Sequence, residues 1–207
     1  MLQILGRNNS VNVQKVLWTC VELDIGYERT DIGGPFGGND QPEYLAKNPN
    51  GLVPTVEDGD LVIWESNAIV RYLAAKHNDG SGFLPADPGE RALAEQWMDW
   101  QLSAFWPPLM PVFIALVRTA PERRDMAAID AGVAQTALMA AILDGHLARN
   151  DYLAGDRFTM GDVPVGGILY RWLNLDIERP DHPHLTAYYQ RLCDRAGYRE
   201  HVAIGMS

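Results

Sequence analysis

The run of residues 48–77 constrains the fold more than any other part of the chain. Within it, Val53-Pro54 stands between a turn-forming segment and an apolar one, and proline fixes φ and has no backbone N–H. An X-Pro bond that enters a strand in this way is a candidate cis peptide, which would turn the chain sharply and leave the backbone of Val53 facing outward. Thr55-Val56 and Leu61-Val62-Ile63 are predicted to be two short strands, because the Asp-Gly pair between them is a strong hairpin signal.

A carboxylate and the start of a helix follow the second of these strands. Ser66 is a good N-cap, and Ile69 and Leu73 continue at helical spacing. Glu65 therefore stands beside a helix N-terminus at a strand end. Such a pair can hold an ammonium and a carboxylate together, as the head group of an α-amino acid requires.

The N-terminal residues predict a β-α-β unit. Residues 2–5 and 27–32 are predicted to be strands from their apolar residues or from the alternation of apolar and polar residues. Apolar residues at helical spacing lie between the two segments. The connection is so short that the unit must be compact and its strands parallel. The loop at residues 7–12 then lies at the carboxyl end of the first strand, where open α/β sheets bind their ligands.

Ser10 lies in this loop, where a hydroxyl can stabilise a thiolate. A hydrogen bond to a charged group contributes about 1.5–3 kcal/mol, which corresponds to roughly one to two pKa units. The partial positive charge of the helix N-terminus acts in the same direction, so a bound thiol would be largely ionised near neutral pH. The alternative interpretation is that Ser10 is a loop serine or an N-cap without a chemical role. Asn8, Asn9 and Asn12 are rival donors to the thiol.

Residues 33–42 contain four glycines and two prolines and are predicted to form a mobile loop without regular structure. A phosphate-binding interpretation is weak, because the segment lacks the lysine and the strand context of a P-loop. A flap over a cleft fits better, followed by a short turn of helix at residues 43–47. Asn39 in this loop is a candidate contact to a bound ligand.

The composition is acidic and excludes several classes of partner. A formal net charge of −10 argues against nucleic acid or an anionic membrane. No uninterrupted apolar run of spanning length is evident, and the first residues lack a signal-peptide layout. Cys20 and Cys193 suggest no disulfide framework, so a cytoplasmic location is expected. An anionic ligand would have to bind through local donors and helix ends.

Strand signals stop beyond a linker at residues 79–88, and helices are predicted for the remainder. An amphipathic helix at 90–105 is followed by a proline-rich segment, 106–111, that should break or kink it. Trp106 and Met110 in this segment would line an apolar pocket. The alternative for Trp106 is a place in the hydrophobic core. Arg118 would either meet an anionic acceptor or form a surface salt bridge.

The C-terminal third contributes structure rather than chemistry. Thr159 and Asp162 form a Thr-x-x-Asp capping box ahead of a helix. His182 and His184 lack the spacing of a metal site, so no metal is expected. Further helices are predicted from Pro121 to Arg149, at 181–195 and at 198–204.

Taken together, Val53, Pro54, Glu65 and Ser66 resemble the glutathione transferase superfamily. The resemblance implies an α/β thioredoxin-like domain at 1–78, a linker, and an all-α domain at 89–207. It also implies that Leu52, Val53 and Pro54 bind the cysteinyl part of glutathione, that Glu65 and Ser66 hold its γ-glutamyl end, and that Asn39 reaches the tripeptide. The loop around Ser10 resembles that of serine-type, theta-like bacterial members, with some nu-like features from Asn12.

The function implied by this resemblance is attack of glutathione thiolate on a small electrophilic acceptor. Ser10 would stabilise the thiolate and Asn12 would assist. Family members form homodimers, so Asp99 or Gln101 would reach the glutathione of the partner. Two alternatives remain: a glutathione-dependent disulfide reductase that uses the same site, and a binding module without activity.

Overall fold

The computed structural model describes residues 1–78 and 80–206, and the chain divides into two compact units. The first comprises Met1–Leu84 together with Ala196–Ile204, and the second begins at Pro85 and runs to Arg195. This differs from the expected division, which placed all residues after 89 in the helical domain. Asp79, part of the predicted linker, lies outside the described residues.

The first unit is built on a four-stranded sheet with the order β2-β1-β3-β4. β1 pairs with β2 in parallel, and β3 runs antiparallel to both β1 and β4. The β-α-β unit, the β3–β4 hairpin and the cis bond at Val53-Pro54 are thus confirmed. Its elements are β1 (Leu2–Leu5), α1 (Val11–Glu22), β2 (Tyr27–Thr30), α2 (Pro42–Leu45), β3 (Thr55–Asp58), β4 (Leu61–Trp64) and α3 (Ser66–Lys76).

The core of this unit lies between the sheet and the buried faces of α1 and α3. It contains Leu2, Ile4, Val13, Val16, Leu17, Cys20, Val56, Ile69 and Leu73. These side chains come from two strands and two helices, so their burial fixes the start of each helix against the sheet. The loops that contain the predicted site residues lead into these two helix starts.

The short helix α9 (Ala196–His201) packs against α1, which is why it belongs to the first unit. The rings of Trp18 and Tyr198 meet edge to face with centroids 4.9 Å apart. Gly197 allows the close approach, because a Cβ there would stand 2.6 Å from Trp18 Cδ1. The sequence predicted a final helix but not that it returns to the first unit.

The glycine-rich segment before α2 is more regular than expected. A single 3-10 turn forms at Gly34–Phe36, with proline in its first turn. Gly33, Gly34, Gly37 and Gly38 have φ between 59° and 82°, a region that side chains other than glycine rarely occupy. The prediction of no regular structure was therefore wrong for these three residues, since proline presets the φ that the turn needs.

In the second unit, the segment 106–111 was predicted to break or kink the helix, and the break does not occur. α4 (Pro88–Trp100) continues through a π-helical turn at Gln101–Phe105 into α5 (Trp106–Phe113), and a second π turn follows at Ile114–Arg118. The first π turn lies directly before Pro107 and Pro108. The N–H of Trp106 donates to the Gln101 carbonyl across this wider turn, and Pro107 and Pro108 then occupy the first turn of α5, where proline is tolerated.

The other helices of this unit are α6 (Met126–Leu147), α7 (Asp162–Asn174) and α8 (Pro183–Cys193). Pro121 opens only a 3-10 turn, and α6 starts after Asp125, whose Oδ1 accepts a hydrogen bond from the N–H of Ala128. Two helical runs, Pro88–Arg118 and Met126–Leu147, are long and apolar enough to cross a membrane by length and composition alone. Both runs contain charged residues, so neither is an uninterrupted apolar run.

The capping box ahead of α7 forms as predicted. Asp162 Oδ2 accepts hydrogen bonds from the N–H and the hydroxyl of Thr159, at 2.8 and 3.2 Å. Its other oxygen accepts from the N–H of Leu153 and the hydroxyl of Tyr188. Burial raises the pKa of the Asp162 carboxyl to about 6, and these donors oppose that rise.

Candidate functional site

Ser10 stands at the corner between β1 and α1. It is the N-cap residue of α1 and has the extended backbone of that position, with φ −80° and ψ 124°. Its hydroxyl makes no capping hydrogen bond to the helix, although its carbonyl accepts from the N–H of Gln14 at 2.9 Å. The hydroxyl therefore lies at the positive end of a helix without being used by that helix.

A second corner joins β4 to α3. Glu65 has φ 72°, in the left-handed region, and its side chain is exposed. The helix begins at Ser66 itself, so the prediction that Ser66 is the N-cap was wrong by one residue. A non-glycine residue with positive φ costs of order 1–3 kcal/mol, and such residues cluster at ligand sites.

Hydrogen bonds between side chains connect these two corners. The Ser66 hydroxyl donates to Asn12 Oδ1 at 3.2 Å. The buried ammonium of Lys15 lies 3.5 Å from Ser66 Oγ and 3.3 Å from Asn67 Oδ1. The starts of α1 and α3 are therefore neighbours, and two helix N-termini close together favour an anionic ligand.

The third corner is the segment before β3. The Leu52 carbonyl accepts from the Tyr44 hydroxyl at 2.6 Å and from Asn48 Nδ2 at 2.8 Å. Val53 lies directly against the start of the first corner, because a Cβ at Gly6 would stand 3.1 Å from the Val53 Cβ. Leu52, Val53 and Pro54 are thus next to the loop that holds Ser10.

Asn39 is already engaged within the protein. Its Nδ2 donates to the carbonyl of Gly51 at 2.7 Å, which ties the glycine-rich loop to the turn before Leu52. Any contact of Asn39 with a tripeptide remains a prediction, and its Oδ1 or the second N–H of its Nδ2 would make it.

The sequence analysis missed Tyr44, Asn48 and Lys15. A signal existed for Asn48, because Asn-Pro-Asn-Gly is a turn sequence and its first asparagine accepts from the N–H of Asn50 at 3.1 Å. Lys15 and Tyr44 gave no such signal. A lysine on a helix and a tyrosine in a short turn are usually exposed, and only the packing of α1 and α2 buries them.

The three residues predicted to contact the acceptor lie in the second unit. Trp106 is half-buried with its ring 6.5 Å from that of Phe113, and Met110 is 40% exposed. The guanidinium of Arg118 lies 5.1 Å from the Phe113 ring centroid, a cation–π contact. Their roles toward an acceptor stay predictions. Gln101 is fully buried, which removes it as a contact to a partner, whereas Asp99 is exposed.

Cys20 lies in the core of the first unit. Cys20 is fully buried, and burial raises the pKa of its thiol to about 12, which keeps it protonated and in the core as predicted. Among residues 1–78 and 80–206, no three His, Cys, Asp or Glu side chains are grouped so as to hold a metal ion.

Comparison with protein families decides the identity of the fold. The chain matches the model of the glutathione S-transferase N-terminal domain over residues 2–75 and that of the C-terminal domain over residues 101–196. The chain belongs to the glutathione S-transferase family. The first of these models covers all three corners of the site, including Ser10, Val53 and Ser66.

Individual relatives agree. The chain is 42% identical to glutathione S-transferase GstB of Escherichia coli K12 over the whole length of both chains, and 34% identical to glutathione S-transferase 3 of Zea mays over 98% of this chain and 93% of the other. A theta class glutathione S-transferase from Xanthomonas axonopodis pv. citri, solved with glutathione bound, is 47% identical with a TM-score of 0.96. That match covers 100% of this chain and 99% of the other.

Proposed function

We propose that this protein binds glutathione at the three corners described above and activates its thiol for attack on a small electrophile. The observation that supports this most is the convergence of Ser10, Val53 and Ser66, joined by the Asn12–Ser66 hydrogen bond and by the contact between Gly6 and Val53. The relative of Xanthomonas axonopodis with a TM-score of 0.96 contains bound glutathione.

The γ-glutamyl end would lie at the start of α3. Its carboxylate would accept hydrogen bonds from the first backbone N–H groups of the helix, including that of Ser66, and the Glu65 carboxylate would pair with its ammonium. These local groups would outweigh the net charge of −10, because the field of distant surface charges is screened within about 10 Å.

The thiol would lie at the start of α1. The Ser10 hydroxyl would donate to the sulfur and stabilise the thiolate, and the thiol proton would leave to solvent without a protein base. The thiolate then attacks the electrophilic carbon of the acceptor, a C–S bond forms, and the leaving group departs with its electron pair. Asn12 would assist by fixing the Ser66 hydroxyl, with which it shares a hydrogen bond of 3.2 Å.

The acceptor would contact the second unit. Met110 is exposed and Trp106 is half-buried, so both can offer apolar surface to a small molecule. An anionic group on the acceptor would pair with Arg118, whose side chain is exposed.

Parallel activity assays test the reaction type. The parent protein and a Ser10→Ala variant would be compared with chlorodinitrobenzene and with 2-hydroxyethyl disulfide, at saturating glutathione. We expect conjugation to chlorodinitrobenzene and a strong loss of it in the variant. Turnover of the disulfide alone would establish the reductase instead, and failure of the parent to bind immobilised glutathione would leave a binding module without activity.

The proposal includes a homodimer in the cytoplasm. Helices α4 and α6 expose large apolar side chains, and Trp97, Trp100 and Ile142 line a cavity of about 270 Å³ there with Gln96. Monomeric proteins rarely leave such patches uncovered. α6 lies within the matched C-terminal domain, so we propose that a second copy covers these apolar faces, not lipid. The exposed apolar residues are Leu93, Leu102, Met126, Leu138 and Ile142.

A further inference from the structure

The carbonyl of Leu52 is held by two buried donors while its side chain is 64% exposed. The Tyr44 hydroxyl donates to it at 2.6 Å, and Asn48 Nδ2 donates at 2.8 Å. Tyr44 and Asn48 are 4% and 2% exposed. Buried polar groups that converge in this way fix the orientation of their acceptor, because losing either partner leaves the other unsatisfied.

The Tyr44 hydroxyl is itself fixed by a third group. Its oxygen lies 2.9 Å from Thr55 Oγ1. A phenol has one proton, and here it goes to Leu52, so the Thr55 hydroxyl donates to Tyr44. Tyr44 therefore bridges the two sides of the Val53-Pro54 pair, with Leu52 before it and Thr55 after it. Burial raises the pKa of the Tyr44 phenol, which keeps the donor protonated.

The peptide plane between Leu52 and Val53 transmits this constraint. Val53-Pro54 is the cis bond of the described chain, so the preceding Leu52–Val53 bond is trans. In a planar trans peptide the C=O and the next N–H point in opposite directions. A carbonyl directed toward α2 therefore directs the Val53 N–H away from α2, on the opposite side of the segment.

We propose that Tyr44 and Asn48 are positioning residues that aim the Val53 N–H at the cysteinyl carbonyl of glutathione. The inference rests on the proposed binding of glutathione and on the role that the family resemblance implies for Val53, which is to bind the cysteinyl part. Neither side chain needs to touch the ligand. Their effect passes through one rigid peptide plane, so it is specific to one hydrogen bond of the bound tripeptide.

A Tyr44→Phe variant tests the proposal with little risk to folding, because only the hydroxyl is lost. We expect glutathione to bind roughly three- to tenfold more weakly, as the loss of one well-aligned hydrogen bond predicts. We also expect kcat at saturating glutathione and the pKa of the bound thiol to stay near the parent values. A general loosening of the site would change all three quantities.

A Tyr72→Phe variant is the matched control. Tyr72 donates to Asp58 Oδ2 at 2.7 Å, at the β3–β4 hairpin, so the same atom is removed from a similar hydrogen bond that holds no ligand-binding peptide. The dissociation constant of glutathione from the Tyr72→Phe variant should equal that from the parent protein.

The decisive measurement uses γ-glutamylcysteamine, which keeps the γ-glutamyl amine and carboxylate and the thiol but lacks the cysteinyl carbonyl together with the glycyl residue attached to it. Calorimetric titration should show the Tyr44→Phe penalty with glutathione and less than a twofold difference with this analogue. An equal penalty with both ligands, or no penalty with glutathione, overturns the positioning role of Tyr44. Either result leaves the proposed binding of glutathione in place. If the parent fails to bind glutathione, the proposed function falls and this inference falls with it.

Discussion

At the scale of single residues, Ser10 combines two properties that a thiolate requires. It is the N-cap of α1, so the helix directs partial positive charge toward it. Its hydroxyl makes no capping hydrogen bond to a backbone N–H of the helix. A capping serine accepts through its oxygen and can still donate its proton, so the two roles do not exclude each other. The structure shows no side-chain cap at Ser10, and its role toward a thiolate stays a prediction.

Replacing Ser10 by alanine should raise the pKa of the bound glutathione thiol by about one to two units, because one hydrogen bond to the thiolate is lost. Ultraviolet absorbance of the thiolate, recorded against pH in the binary complex, measures this directly. Ser10→Thr is the control, since it keeps the hydroxyl. An unchanged titration in Ser10→Ala would transfer the role to Asn12 or a neighbouring asparagine.

Replacing Glu65 should change the affinity for glutathione rather than the pKa of the bound thiol. Its carboxylate is expected to pair with the ammonium of glutathione, so Glu65→Ala should weaken binding by roughly ten- to a hundredfold, in line with about 1.5–3 kcal/mol for a charged hydrogen bond. The thiol pKa should change far less. Equal dissociation constants for variant and parent would remove Glu65 from the site.

The backbone of Glu65 allows an internal control. At φ 72° an alanine is strained and a glycine is not. Glu65→Gly should therefore bind glutathione as weakly as Glu65→Ala while unfolding at a higher temperature. Should the two variants differ in affinity instead, the lost carboxylate would not be the cause of the weakened binding.

At the scale of elements, the start of α7 depends on one buried carboxylate. Asp162 accepts four hydrogen bonds, from Leu153, from Tyr188 and twice from Thr159. Replacement by alanine leaves these donors unsatisfied, so we expect the free energy of unfolding to fall by at least about 3 kcal/mol. Asp125→Ala, which removes the exposed cap of α6, should cost only about 1 kcal/mol.

The raised pKa of Asp162 predicts how the free energy of unfolding depends on pH. Burial raises its pKa from 3.8 to about 6 in the folded state, so the folded protein binds the proton more tightly than the unfolded chain does. The contribution of this group to stability is therefore fully present below pH 3.8 and is lost as the pH rises through about 6. Denaturant unfolding of the parent and of Asp162→Asn across this range should show that their difference varies with pH. A constant difference would show that Asp162 does not titrate there.

At the scale of the whole molecule, the exposed apolar faces of α4 and α6 require an explanation. Leu138 is 57% and Ile142 is 49% exposed, and both lie on a helix long and apolar enough to resemble a membrane span. Burying such side chains against a second copy stabilises an assembly by about 25 cal/mol for each Å² removed from water. The acidic surface, with a net charge of −10, makes an anionic membrane a poor alternative.

A Leu138→Glu variant should shift the protein from dimer to monomer in sedimentation equilibrium, because a carboxylate in an apolar interface is costly to desolvate. Ile204→Glu is the control, since Ile204 is similarly exposed, at 42%, but lies outside α4 and α6. A parent protein that sediments as a monomer would contradict the homodimer, whereas a Leu138→Glu variant that stays dimeric would contradict the placement of the interface on α6.

The sequence by itself determined those features that depend on local backbone geometry. The β-α-β unit, the Asp-Gly hairpin, the cis bond at Val53-Pro54 and the Thr159–Asp162 box were all predicted and found. Proline, glycine and capping residues restrict φ and ψ within a few positions, so a short stretch of sequence contains the whole constraint.

Only the tertiary structure decided what depends on residues far apart in the chain. The return of α9 to the first unit rests on the close approach of Gly197 to Trp18. The join between the two helix starts rests on Asn12 and Ser66, which are separated by 54 positions. Burial of Lys15 follows from the packing of α1 against α3, and the orientation of Leu52 follows from the packing of α2. Such contacts are fixed by which surfaces meet in the folded chain, and no local pattern of residue types encodes that.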